Sequence, residues 1–215
     1  MIHNWNRLTV AFLAAACLCL SAYAAPIEPK TVGALIAQGK TAEVKALGPG
    51  VLPVMVRLYE SSDEAQRTRI AETFCQLGWK SPEAKRVLMK DVHTNNQYLR
   101  LQVQWALGRV SNDTDVVDVL LENMGNDANP LFRDKAACAL AYDQIHLSEK
   151  QKVRLYEGLI HALSDPKLDV RRIALQALSI HTGQTKGFNP EAQVAVRENS
   201  IQQWKRWLEE YKSNL

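Results

Sequence analysis

The sequence is poor in residue types that mark several common classes of protein. Of its 215 residues, 7% are aromatic, 10 are glycine and 8 are proline. So few glycines and prolines argue against a loop-rich all-β protein. The apolar share of 47% and the charged share of 23% are ordinary for a folded domain, and they exclude disordered, collagen-like and low-complexity chains. Beyond the first 24 residues, no apolar run reaches the roughly 18 residues of a typical transmembrane helix.

The first 24 residues have the three parts of a secretory signal peptide. Arg7 precedes an almost unbroken apolar run over 8–20, and small residues at Ala22 and Ala24 follow it as a cleavage pattern. We therefore expect residues 1–24 to be removed after Ala24, which would place the protein in the periplasm or outside the cell. An uncleaved membrane anchor is the alternative, although the run is short for a membrane span.

Neither sign of charge is in large excess. The chain has 26 basic and 23 acidic residues, and only Arg7 belongs to the predicted signal, so the mature chain carries 25 against 23, a net charge of +2. Proteins that bind polyanions usually show a clear basic excess. We therefore expect no nucleic-acid partner, and no stable membrane insertion after signal cleavage.

A repeated helical pattern follows. Three stretches read apolar-Arg-x-x-small-x-x-Ala-Leu, with their arginines at Arg100, Arg133 and Arg171, which are 33 and 38 residues apart. A degenerate fourth copy covers Arg69–Leu77. Each copy follows another amphipathic helix, and a period of this length with two helices per unit predicts an all-α superhelix, an α-solenoid.

This pattern resembles the HEAT repeat in its short bacterial form, because Asp127 and Asp165 each stand six residues before their arginine. The resemblance implies about four helical hairpins and a C-terminal cap helix. It also implies a structural ladder, in which each aspartate caps the second helix of its unit and Arg133 and Arg171 bridge to a neighbouring unit. The chain then divides into a signal peptide (1–24), a lead-in with a half-repeat (25–47), HEAT-like repeats (48–181), and a linker with the cap helix (182–215).

The predicted cap helix has its own apolar stripe. Ile201, Trp204 and Leu208 recur at helical spacing, and they would cover the apolar face that the last repeat leaves open.

The second helices of a solenoid usually line its concave surface, and this surface is the predicted binding site for a protein or peptide. Trp105 is either packed between repeats or an exposed binding anchor. Lys135 and Arg172 would favour an acidic partner. The candidate binding residues are Gln104, Trp105, Lys135, Tyr142, Arg172 and Gln176.

The familiar signatures of catalysis are missing from the sequence. Gly33–Thr41 resembles a phosphate-binding loop, but it has five residues between its glycines where the motif needs four. No histidine stands at zinc-site spacing from another ligand. We therefore predict no catalytic residue, metal or cofactor. An enzyme or enzyme-accessory subunit with a distributed site in the groove stays open as an alternative, and so does a purely structural spacer.

The two cysteines that remain after signal cleavage are not expected to form a disulfide. Cys75 and Cys138 lie about two repeats apart in the predicted stack. Helices pack about 8–10 Å apart, so the separation would be roughly 20 Å. A disulfide needs Cα atoms within about 7 Å. We therefore predict two reduced cysteines in the core, with an intermolecular disulfide as the alternative.

Overall fold

A computed structural model describes residues 26–143 and 147–215, without the side chains of Tyr142 and Asp143. The predicted signal peptide lies outside the described residues. The described residues form α-helices and two short 3-10 turns at Pro49–Val51 and Met89–Asp91, and none of them is in a β-strand. The helices are α1 (Pro29–Ala37), α2 (Thr41–Ala46), α3 (Leu52–Ser61), α4 (Glu64–Leu77), α5 (Pro82–Leu88), α6 (Gln97–Val110), α7 (Thr114–Asn126), α8 (Pro130–Asp143), α9 (Glu149–Ala162), α10 (Leu168–Thr182) and α11 (Val194–Ser213).

Local sequence signals account for many of these helix ends. Ser148 and Gln151 form a full capping box at the start of α9, which satisfies two backbone N–H groups that the helix leaves open. The hydroxyl of Ser81 accepts the Ala84 N–H at the start of α5. Gly78 ends α4 in the left-handed conformation, with φ of 66°, which glycine adopts without strain.

The helices pair into antiparallel hairpins that stack in two rows. The first helices α3, α5, α7 and α9 form one row, and the second helices α4, α6, α8 and α10 form the other. Neighbours in the second row pack closely along one another, whereas α5 and α7 barely touch. The second helices are therefore the more closely spaced row, which is the row that lines the concave side when such a stack curves. The architecture is an α-solenoid, as the sequence predicted.

The repeat register follows from the buried positions of the second helices. The same burial pattern follows each of Arg67, Arg100, Arg133 and Arg171. The third residue after the arginine is buried, the sixth is small and buried, and the seventh is large, apolar and buried. In that order they are Ile70, Thr73 and Phe74; Val103, Ala106 and Leu107; Ala136, Ala139 and Leu140; and Ala174, Ala177 and Leu178. The predicted fourth copy, Arg69–Leu77, placed Leu77 as the equivalent of Leu107. The buried positions instead place Phe74 there, so Arg67 is the equivalent arginine.

Both ends of the stack are covered. At the C-terminal end, α11 packs on α9, and Ile201, Trp204 and Leu208 are buried there as predicted. The Trp204 ring meets Trp207 edge-on, with the ring centroids 5.4 Å apart. At the N-terminal end, the short hairpin of α1 and α2 lies against α3 and α4.

Cys75 and Cys138 form no disulfide, as predicted, although each is half-buried against the core and not fully enclosed.

The lengths and compositions of the helices bear on membrane insertion. Among the described residues, no helix combines the length and the apolar character that crossing a bilayer requires.

Candidate interaction surface

A ladder of ion pairs holds the second helices at a fixed spacing. The Arg67 Nη1 atom lies 3.0 and 3.1 Å from the two carboxylate oxygens of Asp91. Arg100 pairs with Asp127 through its Nη2 atom, and Arg133 pairs with Asp165 one unit further on. At the end of the stack no aspartate follows, and the Arg171 Nε–H donates instead to the Pro190 carbonyl at 2.9 Å. Each arginine thus ties its second helix to the next unit or to the linker.

Two of these arginines, Arg133 and Arg171, also bind the loop that precedes their own helix. Arg133 Nη1 donates to the Asp127 carbonyl at 2.7 Å, and Arg171 Nη1 donates to the Asp165 carbonyl at 2.7 Å. The aspartates do not cap the second helices, which corrects the expectation from the resemblance. Their carboxylates accept the Asn129 and Lys167 N–H groups in the preceding loops. These contacts shape the loops that start α8 and α10.

An apolar patch covers the outward faces of α6 and α8. Tyr98 is 78% exposed and Leu131 is 41% exposed, and both stand two residues before a ladder arginine, so they occupy equivalent places on adjacent helices. Half-buried Leu101 and Trp105 continue the stripe along α6, at positions three and seven residues after Tyr98. Half-buried Cys138 is the α8 equivalent of Trp105. We call these five residues the α6–α8 patch.

The contact between Arg100 and Phe132 shows how closely α6 and α8 approach beside the patch. The guanidinium carbon of Arg100 lies 4.5 Å from the centroid of the Phe132 ring, and these residues directly flank the patch. Helices in van der Waals contact have axes about 8–10 Å apart. Side chains at equivalent positions on α6 and α8 are therefore neighbours, and the α8 equivalent of Leu101 is half-buried Asp134, which pairs with Lys135.

The patch has polar edges on both sides. At the places equivalent to Tyr98 and Trp105, α10 carries Asp169 and Gln176, which are both exposed. On α4 the place of Trp105 is taken by exposed Glu72. Protein interfaces commonly have such an apolar centre within a polar rim. At the positions of Tyr98 and Trp105, apolar residues thus occur on α6 and α8 and not on α10.

The structure removes Gln104 from the predicted surface. Its side chain is completely buried, and among the described residues neither its amide nitrogen nor its amide oxygen has a hydrogen-bond partner. The packing of neighbouring helices encloses this position of α6. Trp105 is half-buried against the core, so it combines the two roles that the sequence left open.

The remaining predicted residues are distributed differently. Lys135 is half-buried, and its ammonium lies 2.6 Å from the Asp134 carboxylate, which raises the pKa of Lys135. Arg172 is exposed and pairs with Glu191. Gln176 is exposed. The side chain of Tyr142 lies outside the described part of the chain.

Sequence reasoning missed Tyr98 and Leu131, which are the most exposed members of the patch. The signal that would have found them is the ladder register itself, because both residues precede a ladder arginine by two positions. Helical wheels alone do not separate them from the surrounding polar residues, since both lie in the first turn of their helices.

The chemistry of the patch is that of a contact surface. Burial raises the pKa of the Cys138 thiol, which opposes formation of the reactive thiolate. In residues 26–143 and 147–215, no three histidine, cysteine, aspartate or glutamate side chains are grouped so that they could hold a metal ion. The patch itself offers rings and aliphatic groups to a partner.

Comparisons with known proteins agree with this geometry. Residues 51–141 match the family model described as HEAT repeats. This segment runs from the start of α3 nearly to the end of α8, so it contains the α6–α8 patch. A comparison with curated proteins found no match.

A solved structure has a similar fold. It is the crystal structure of an engineered protein from the Northeast Structural Genomics Consortium, which aligns with a TM-score of 0.52 at 16% sequence identity. The alignment covers 86% of this chain and 89% of that one. At this identity the likeness concerns the fold alone.

Proposed function

We propose that this protein is an exported, non-catalytic scaffold that binds a protein or peptide partner on the concave face of its solenoid. The observation that carries the proposal is the α6–α8 patch, in which Tyr98 is 78% exposed and Leu131 is 41% exposed beside half-buried Trp105. Large aromatic side chains contribute most of the binding energy at many protein interfaces. A solenoid presents such residues on an extended concave surface.

The partner surface is expected to be mainly apolar. Lys135 and Arg172, which the sequence offered as contacts for an acidic partner, are already paired with Asp134 and Glu191. Their charges are therefore largely compensated in the free protein. Binding at the patch should depend only weakly on salt, because exposed ion pairs contribute little net attraction.

The exposed patch favours a scaffold over a spacer. A spacer with two solvated faces would bury Trp105 completely and leave no apolar surface on the second helices. Exposed apolar groups that are grouped and bounded by polar residues are typical of interaction sites.

Export is the second part of the proposal, and it is supported by the sequence of residues 1–24. Arg7, the apolar run over 8–20 and the small residues before Ala25 together favour signal cleavage. Intact-mass analysis of the protein from the periplasm should give a chain that begins at Ala25. A chain that keeps residues 1–24 and stays in the membrane fraction would contradict export.

Site-specific photo-crosslinking tests the binding function. A photo-reactive phenylalanine analogue would replace Tyr98 in the protein expressed in its own host, and Glu210 on α11, which is also exposed, would be the control site. We expect one dominant adduct from position 98 and none of it from position 210. The adduct partner would then be purified and tested for binding in vitro.

A second variant decides whether the patch is responsible. Leu131→Glu places a charge in the apolar surface, and Leu131 is 41% exposed and is not one of the buried core residues. We expect this substitution to remove the adduct at position 98 and to weaken binding of the purified partner at least about tenfold. Equal adducts at positions 98 and 210, or an unchanged affinity with Leu131→Glu, would contradict the proposal.

A further inference from the structure

A groove runs between α1 and α4, apart from the α6–α8 patch. It consists of two adjoining cavities of about 210 Å³ each, which share Ile36, Ala37 and Arg69 in their walls. The first cavity faces Lys30 and Gln66, and the second extends along α4 to Gln76. The groove therefore follows one face of α4 over about three turns.

Small residues on α1 create the groove. Gly33 and Ala37 stand four residues apart on α1 and both line the first cavity, so no long side chain from these two positions fills it. A Cβ atom built at Gly33 would lie 4.0 Å from the nearest Leu58 carbons, and it would meet no other atom within that distance. The space is open enough to admit a side chain from another molecule.

The floor and the rim of the first cavity differ in character. Ile36, Leu58 and Ile70 supply an apolar floor. Lys30 and Arg69 line the same cavity, both are exposed, and no acidic residue lines it. Within the described part of the chain, neither cation forms an ion pair. The acidic residue of the second cavity is Glu72, whose carboxylate accepts a hydrogen bond from Gln76 at 3.1 Å.

We propose that this groove binds a short extended peptide segment of a partner protein, with an acidic residue beside an apolar one. From Gln66 to Gln76 the helix rises about 15 Å, which matches about four to five residues of extended peptide. Alternate side chains of such a peptide point in opposite directions. An apolar side chain would enter the floor, and the adjacent carboxylate would lie at the rim between Lys30 and Arg69.

The proposal goes beyond the function assigned to the α6–α8 patch, and the two sites can be tested apart. The probe is the peptide acetyl-Gly-Leu-Glu-Leu-Gly-amide, titrated into the purified ¹⁵N-labelled protein while amide shifts are recorded by NMR. The matched peptide acetyl-Gly-Leu-Gln-Leu-Gly-amide has the same shape without the charge. We expect saturable shifts confined to α1 and α4, with weaker binding of the neutral peptide.

Three variants assign the effect to the groove. Arg69→Glu should weaken binding of the acidic peptide at least about tenfold, because it replaces a charge-assisted contact with repulsion. Arg57→Glu is the matched control, since Arg57 is exposed on α3 and does not line the groove, and it should change the affinity less than about twofold. Gly33→Leu should abolish binding while the protein stays folded, because leucine fills the groove and favours helix.

Several results would overturn the proposal. One is the absence of saturable amide shifts up to millimolar peptide, and another is a set of shifts that maps to α6 and α8. A third is a loss of affinity with Arg57→Glu that equals the loss with Arg69→Glu. Shifts of α1 and α4 that depend on protein concentration without peptide would assign the groove to a second copy of the chain. Because the shifts are read for each helix, failure here would leave the α6–α8 proposal untouched.

Discussion

Arg133 holds Asp165 across a repeat boundary in a two-pronged ion pair. Its Nε and Nη2 atoms lie 2.7 and 3.0 Å from the two carboxylate oxygens, while its Nη1 atom donates to the Asp127 carbonyl at 2.7 Å. The side chains of the pair are only 10% and 9% exposed. One guanidinium thus joins two successive loops and two successive units, and it does so almost out of contact with water.

Removing this arginine is expected to destabilise the protein strongly. Arg133→Ala would leave the Asp165 carboxylate buried without its counter-charge, which costs about 3–5 kcal/mol of unfolding free energy. Urea unfolding followed by circular dichroism measures the change. The control is Arg86→Ala, whose ion pair with Glu60 is 54% and 38% exposed, so its loss should change the stability far less. Similar losses from the two variants would show that the ladder is not a special source of stability.

A substitution in the core should stabilise the protein. The Gln104 amide is buried and has no hydrogen-bond partner in the described part of the chain, and unmet polar groups of this kind cost about 1–3 kcal/mol. Gln104→Met keeps the length of the side chain and removes both polar groups, so the free energy of unfolding should rise by about 1–2 kcal/mol. Gln102→Met on the same helix is half-exposed and should change it by less than about 0.5 kcal/mol. A loss of stability with Gln104→Met would mean that the amide has a partner in solution.

Two glycines should respond to alanine in opposite directions. Gly33 lies inside α1, where a Cβ meets only ordinary contacts, so Gly33→Ala should stabilise the protein by about 0.5–1 kcal/mol. Gly78 ends α4 with φ of 66°, a conformation that strains alanine, so Gly78→Ala should destabilise it by about 1 kcal/mol. Thermal unfolding of both variants measures the difference. Effects of equal sign would contradict the backbone geometry at one of the two sites.

Stability should fall when the pH drops below about 6.5, because of His181. Its Nε2–H donates to the Leu140 carbonyl at 3.2 Å, and burial lowers the pKa of His181 from the ordinary value of 6.5, with Lys152 acting in the same direction. The unfolded chain therefore takes up the proton at a higher pH than the folded protein does. The folded state loses stability as the pH falls from about 6.5 towards the lower folded pKa.

Urea midpoints at pH 7.5 and pH 5.5 test this dependence. The wild-type midpoint should be lower at pH 5.5, and the difference should shrink in His181→Gln. His93→Gln is the control, since His93 is an exposed loop residue, and it should keep the full difference. An undiminished difference in His181→Gln would assign the acid sensitivity to other groups.

The sequence by itself determined the helical class, the repeat period and the closing helix. These features follow from local patterns. Caps such as Ser148 act within one turn, and the apolar stripe of Ile201, Trp204 and Leu208 follows the helical period. The resemblance to HEAT repeats implied that Arg133 would pair with the next unit. The resemblance rests on the constant spacing of six residues from Asp127 to Arg133 and from Asp165 to Arg171.

The tertiary structure decided the register of the first repeat and the character of the surface. Asp91, the partner of Arg67, stands nine residues before Arg100, where the later aspartates stand six residues before their arginines. That longer loop hid the pairing from the spacing argument. The burial of Gln104 and the exposure of Tyr98 depend on how closely α4, α6 and α8 pack. The exposure of a side chain depends on how neighbouring helices cover it, so the apolar pattern of one helix alone does not determine it.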